Sequence, residues 1–223
     1  MYEWQWSVIL QYRDVFMQGA LVTIGLTLLV ILVGTGLGTI LGLLRRSQLR
    51  VVSTVVRVYV ELFRAVPILV LLIWIFYVLP LITNIRLSPF SAALVALSLN
   101  LSAYVAETMR AGINAIPKIQ YESGIVLGLS PLQVMFQIIL PQAFRSMLPN
   151  LLGHYITQLK NTSLASVIAV DELLHRSNIV ISNSYRPLEV YTAVAVIYLA
   201  LILPFTICAS WMETGLARKV KQI

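Results

Sequence analysis

Asn100, Tyr104 and Glu107 follow one another at spacings of four and three inside a mainly apolar run, which places them on one face of a helix. Polar groups in such surroundings are costly unless they border a cavity or one another, so this face is a candidate lining for a translocation path. Glu107 equally suits an ion pair with Arg110, three residues on. Glu61 and Arg64 form a second pair at the same spacing just before Pro67, whose missing N–H would kink a helix and suits the pivot of a gate. The alternative there is an interfacial helix end carrying a surface pair. Lys160-Asn161-Thr162-Ser163 interrupts another apolar run with a cation and helix-capping residues. A discontinuous helix whose N-terminus points into a cavity would present free N–H groups to a carboxylate.

Other chemistries find no footing. His154 and His175 stand apart from any Cys or carboxylate at metal-ligand spacing, and no Ser, His and acid set converges, so neither a metal nor a nucleophilic site is expected. Gly34-Thr35-Gly36-Leu37-Gly38 has the glycines of a phosphate loop but no following Lys-Ser/Thr, and it lies inside an apolar run. Gly34, Gly38 and Gly42 recur every four residues and share one face, where missing side chains let another helix approach. No Walker A string occurs, so any ATP that drives the protein, with its Mg, is bound by another chain, and no cofactor is expected in this one.

The elements that must position these residues are membrane helices. Of 223 residues 59% are hydrophobic and 11% charged, too few to cover a soluble surface. A span needs about 20 apolar residues, and long non-alternating runs place five, near 19–44, 65–82, 89–108, 148–170 and 190–211. The fold class is therefore an all-α integral membrane protein, a single transmembrane domain over 1–223 with little left for a soluble catalytic domain. The fourth span is interrupted by His154, Gln158, Lys160 and Asn161. Residues 1–18 contain Glu3, Arg13 and Asp14 and lack a basic region before an apolar core, so the first run reads as a retained span. Cys208, the one cysteine, cannot form an intrachain disulfide.

Net charge is +7, yet the cations are scattered between apolar runs without a basic face, which speaks for orientation rather than nucleic acid. Arg45, Arg46, Arg50, Arg57, Arg110, Lys118, Arg145, Arg218, Lys219 and Lys221 fall on one side; Arg13, Arg86, Arg176 and Arg186 fall on the other. The positive-inside bias puts the N-terminus outside, the C-terminus in the cytoplasm, and the connection between the third and fourth spans in the cytoplasm. Asp171 and Glu172 are then external, where they either solvate a loop or meet a partner.

Within that connection, about 114–142, a proline opens one short helix, Gly128 permits a turn, and Ile138-Ile139-Leu140-Pro141 is expected to stop a second helix. Such a unit lying on the cytoplasmic face can dock a soluble partner. The segment resembles the loop signature of bacterial ABC importer permeases: Glu-Ala-Ala, three residues, Gly, nine residues, Ile, any residue, Leu-Pro. Glu122, Gly128, Ile138, Leu140 and Pro141 fall at those spacings, with Ser123 and Gly124 in place of the alanines. Small residues at both positions are expected to keep the surface open to a close partner.

The resemblance narrows to the polar amino acid permeases through Glu61-Leu62-Phe63-Arg64-Ala65-Val66-Pro67, the run from Ala103 to Ile113, Leu140-Pro141-Gln142-Ala143, and Lys160-Asn161-Thr162-Ser163-Leu164. It implies a bacterial inner-membrane importer with two permease subunits, identical or related, a cytoplasmic ABC ATPase dimer and an external substrate-binding protein. The chain itself would not be an enzyme. Glu122 and Gly128 would belong to the coupling element that sits against the ATPase. The family usually has Asp where this chain has Asn161, so in a heterodimer the partner permease is expected to carry the charged half of a substrate site. A half of an ion-gradient-driven transporter, titrating at Glu61 or Glu107, is the competing function. A small membrane enzyme or anchor is a third, without reactive groups to support it.

Overall fold

The computed structural model describes the backbone of residues 2–220 and the side chains of residues 2–211. Every regular element in it is helical: α1 Ser7–Gln11, α2 Arg13–Leu44, α3 Arg50–Ala65, α4 Ile68–Thr83, α5 Pro89–Asn114, α6 Lys118–Val126, α7 over 131–161, α8 Leu173–Ser184 and α9 Pro187–Val220. Three helices are long and apolar enough to cross a membrane, Arg13–Leu44, Pro89–Asn114 and Pro187–Trp211. α3 and α4 together make a fourth candidate, bent by 104°. The expected span 148–170 is not among them, because its polar residues dilute the apolar run and its last third tightens into a 3-10 helix, Thr162–Ile168.

α5 is the central helix. Ser88 caps its first turn by accepting from the Ser91 N–H at 3.1 Å, and Pro89 occupies a first-turn position where no N–H is missed. Its middle turns bury Ala93, Ala96, Leu97, Leu101 and Val105 in the main core, with Leu26 and Val30 of α2, Leu72 of α4, and Met147 and Leu151 of α7. The glycine face of α2 makes the close approach possible. A methyl added at Gly38 would sit 2.6 Å from the Ser102 carbonyl oxygen and from Val105, and one at Gly34 or Gly42 would meet Leu101 or Met109 under 3.0 Å. Gly36, on the opposite face, meets nothing within 4 Å.

Prolines set the helix irregularities. Pro67 was expected to kink a helix; it ends one, since Val66 is extended at φ −74° and ψ 127° and α4 restarts after the proline. The Ile138–Pro141 stretch was expected to stop the second cytoplasmic helix, and this is corrected: α7 runs through Pro141 unbroken. A π-helical stretch, Val134–Ile139, lies just ahead of Pro141, and another, Trp74–Val78, lies just ahead of Pro80 in α4. Widening the turn relieves the clash of the proline ring with the preceding turn, so the helix continues where a regular one would break.

A polar pocket and an exposed helical hairpin

The break between α3 and α4 exposes a pocket of about 300 Å3 against α5 and α7. Arg64, Pro67, Asn100, Tyr104 and Asn161 line it, with His154, Thr157 and Gln158. Asn100 is held from two sides: its Nδ2 donates to the Phe63 carbonyl at 2.9 Å, and its Oδ1 accepts from Gln158 Nε2 at 3.2 Å. The first of these bonds satisfies a carbonyl freed by the break before Pro67. Gln158 Oε1 is buried beside the pocket and has no hydrogen-bond partner among the described residues. The Arg64 guanidinium lies 5.4 Å over the Tyr104 ring, which packs against His154; His154 Nε2 is 3.0 Å from Thr108 Oγ1. A cation at one point and an acceptor at another suit a small zwitterion.

Several expected pairings come out differently. Glu61 and Arg64 do not pair: Glu61 is exposed, and Arg64 turns towards Glu107 at 4.0 Å. Glu107 does pair with Arg110, and Arg45 from the end of α2 joins them. The carboxylate is thus committed to fixed cations. Of the Lys160–Ser163 break only Asn161 reaches the pocket; Lys160 is exposed, and the Thr162 and Ser163 hydroxyls donate back to the carbonyls of Leu159 and Lys160. The expected free N–H groups are absent too, because the backbone continues into the 3-10 helix and bonds to the Gln158 and Lys160 carbonyls. His154 and Gln158 were not singled out as pocket residues, although their spacing of four, with Asn161 three further on, marks one face of α7.

At the other end of α7, α6 and the first turns of α7 form a helical hairpin. Gly128 sits at φ +82°, a left-handed conformation that a side chain disfavours. Gly124 does not keep the outer surface open as expected. It is buried inside the hairpin, where an added methyl would come 2.7 Å from Val134 and 3.0 Å from Ile138. Glu122 and Ser123 point to solvent, and so do Val126 and Leu127, 86% and 77% exposed; Leu140 is half-buried and Pro141 exposed. Exposed aliphatics around a turn are the mark of a docking surface.

On the opposite side of the molecule Glu172 is fully buried and caps α8. It accepts from the N–H groups of Leu174 and His175 at 2.9 and 2.7 Å and from Tyr198 Oη at 2.9 Å. Burial pushes its carboxyl above the ordinary range, against the pull of those donors. Asp171 stays exposed and lies 3.8 Å from both His175 and Arg176.

Residues 34–222 match the family model described as "Binding-protein-dependent transport system inner membrane component". The chain belongs to that family. It is 34% identical over 220 residues, 98% of this chain and 99% of the relative, to the glutamine transport system permease protein of Escherichia coli (strain K12). To the L-cystine transport system permease protein of Bacillus subtilis (strain 168) it is 37% identical over 217 residues, 96% and 92% of the two chains. Among solved structures, that of "an amino acid ABC transporter with histidines" superposes with a TM-score of 0.90 at 32% identity, over 96% of this chain and all of that one. The inward-facing MetNI methionine ABC transporter shares the fold, with a TM-score of 0.75 at 18% identity over 92% of this chain and 97% of that one. The chain is accordingly a multi-pass inner-membrane permease component of a binding-protein-dependent importer, which leaves the gradient-driven alternative without support.

Proposed function

We propose that the chain forms half of the membrane path of an ATP-driven importer of polar amino acids, with five crossings, the N-terminus outside and the C-terminus in the cytoplasm. Its partners are a second permease subunit, an external substrate-binding protein and a cytoplasmic ATPase dimer that holds ATP and Mg. The observation that carries this reading is the continuity of α7. One helix joins the exposed hairpin around Gly128 to the pocket wall at His154, Gln158 and Asn161. At 1.5 Å per residue it is a lever of about 45 Å.

Closure of the ATPase dimer on the hairpin, through Glu122, Ser123 and the exposed aliphatics, tilts α7 and so moves one wall of the pocket against α5. ATP thereby favours one of two packings, and the pocket faces one side of the membrane or the other accordingly. In the pocket Arg64 receives the carboxylate of the amino acid, and Gln158 Oε1 accepts from its ammonium group. Asn161 adds a neutral amide where a charged side chain would restrict the substrate.

The test is binding-protein-stimulated ATP hydrolysis and uptake with Gln158→Leu, which keeps the volume but removes both the acceptor and the donor to Asn100. Loss of substrate affinity with intact assembly is expected. Unchanged affinity overturns the assignment of this pocket.

A further inference from the structure

Away from that pocket, arginines gather where α2 ends, α3 begins and α5 closes. Arg45, Arg46, Arg57 and Arg110, with Ser53 and Asn114, line an open cleft of about 330 Å3. Among the described residues Glu107 is the one carboxylate that meets them, and it bonds to both Arg45 and Arg110. Arg46 donates to Asn114 Oδ1 at 3.2 Å, a neutral acceptor that leaves its charge uncompensated. The Arg57 side chain makes no hydrogen bond or ion pair among the described residues. Glu61, one turn along the same face of α3, is exposed and does not pair with it; Glu122, which shares a neighbouring cavity with Arg46, is exposed and makes no ion pair among the described residues. Four guanidinium groups therefore face one carboxylate, with N–H donors to spare.

The cleft sits at the ends of two membrane-crossing helices, where apolar chain gives way to water. Next to the arginine face of α3 runs a second exposed face of Val51, Val55, Val58 and Leu62, at spacings of four, three and four. A ligand that satisfies both faces carries an anionic head and hydrocarbon. Guanidinium forks match the oxygens of a phosphate in pairs, and basic groups at a membrane boundary are attracted to anionic headgroups. We infer that this cleft binds the phosphodiester head of an anionic phospholipid, with the acyl chains along the aliphatic face of α3. A free phosphate has the same head chemistry but gains nothing from that face.

The experiment titrates the purified full chain in detergent with phosphatidylglycerol or phosphatidylcholine, reads retained lipid by native mass spectrometry, and adds inorganic phosphate as competitor. The wild type is expected to retain phosphatidylglycerol preferentially, and Arg46→Gln with Arg57→Gln to weaken that retention about tenfold or more. The paired lysine variant keeps most of it, Arg86→Gln changes nothing, and millimolar phosphate displaces no lipid. If the glutamine pair lowers the melting temperature, Arg57→Gln alone, which breaks no contact, must still weaken retention. Equal retention in the glutamine variants overturns the site. Displacement by inorganic phosphate overturns the lipid in favour of a soluble anion. Unchanged lipid retention with loss of co-purifying ATPase overturns it in favour of an acidic protein surface.

Discussion

Glu107 collects cations from α2, α3 and α5 onto one carboxylate, and that choice decides what Arg64 can do. Arg45 and Arg110 take the close positions, leaving Arg64 at 4.0 Å with its guanidinium over the Tyr104 ring in the pocket wall. Arg64→Gln should therefore cost about 1.5–3 kcal/mol of binding to a carboxylate, seen as a raised KM for uptake. The melting temperature should hardly move, because the side chain is exposed. Glu172→Ala behaves in the opposite way: it strands two helix N–H donors and the Tyr198 hydroxyl and should lower stability by about 1–2 kcal/mol. Thermal unfolding in detergent checks it, with Asp171→Ala as a near-silent neighbour. Spacing alone suggested both the Glu107–Arg110 and the Glu61–Arg64 pairs. Only the first forms, since the competing carboxylate for Arg64 lies 43 residues away, beyond the reach of any local pattern.

At the scale of elements the glycines separate packing from turn geometry. Gly38→Ala should cost about 1–3 kcal/mol by forcing α2 away from Ser102 and Val105. Gly36→Ala meets nothing and should gain up to about 1 kcal/mol of helix propensity. Comparing the two melting temperatures isolates the α2–α5 contact. Gly128→Ala keeps the surface chemistry of the hairpin but strains a left-handed residue by about 1–2 kcal/mol. It should reduce coupled uptake more than membrane insertion, measured as transport per ATP hydrolysed. The apolar helices and the Gly34, Gly38 and Gly42 face were legible from run length and period. The passage of α7 through Pro141 was not, because a proline marks a helix stop equally well as a π-helical turn. Gly124 also misled, since an alanine-sized position reads the same whether a partner or the chain's own Val134 fills it.

In the whole molecule, one mechanical connection, α7, joins an exposed hairpin to a polar pocket at its opposite end. The hairpin itself was legible in the loop signature, and the charge distribution is the ground for proposing that it lies on the cytoplasmic face. The pocket was legible only in part: Asn100, Tyr104 and Arg64 were singled out, whereas His154 and Gln158 joined them only once α7 lay beside α5. The most direct measurement is uptake of radiolabelled amino acid into liposomes containing this permease with its partner permease and ATPase, with external binding protein and internal ATP supplied or withheld. Uptake should need both and should persist when ion gradients are collapsed. Uptake without ATP or without binding protein, or its disappearance with the gradients alone, would contradict the proposed mechanism.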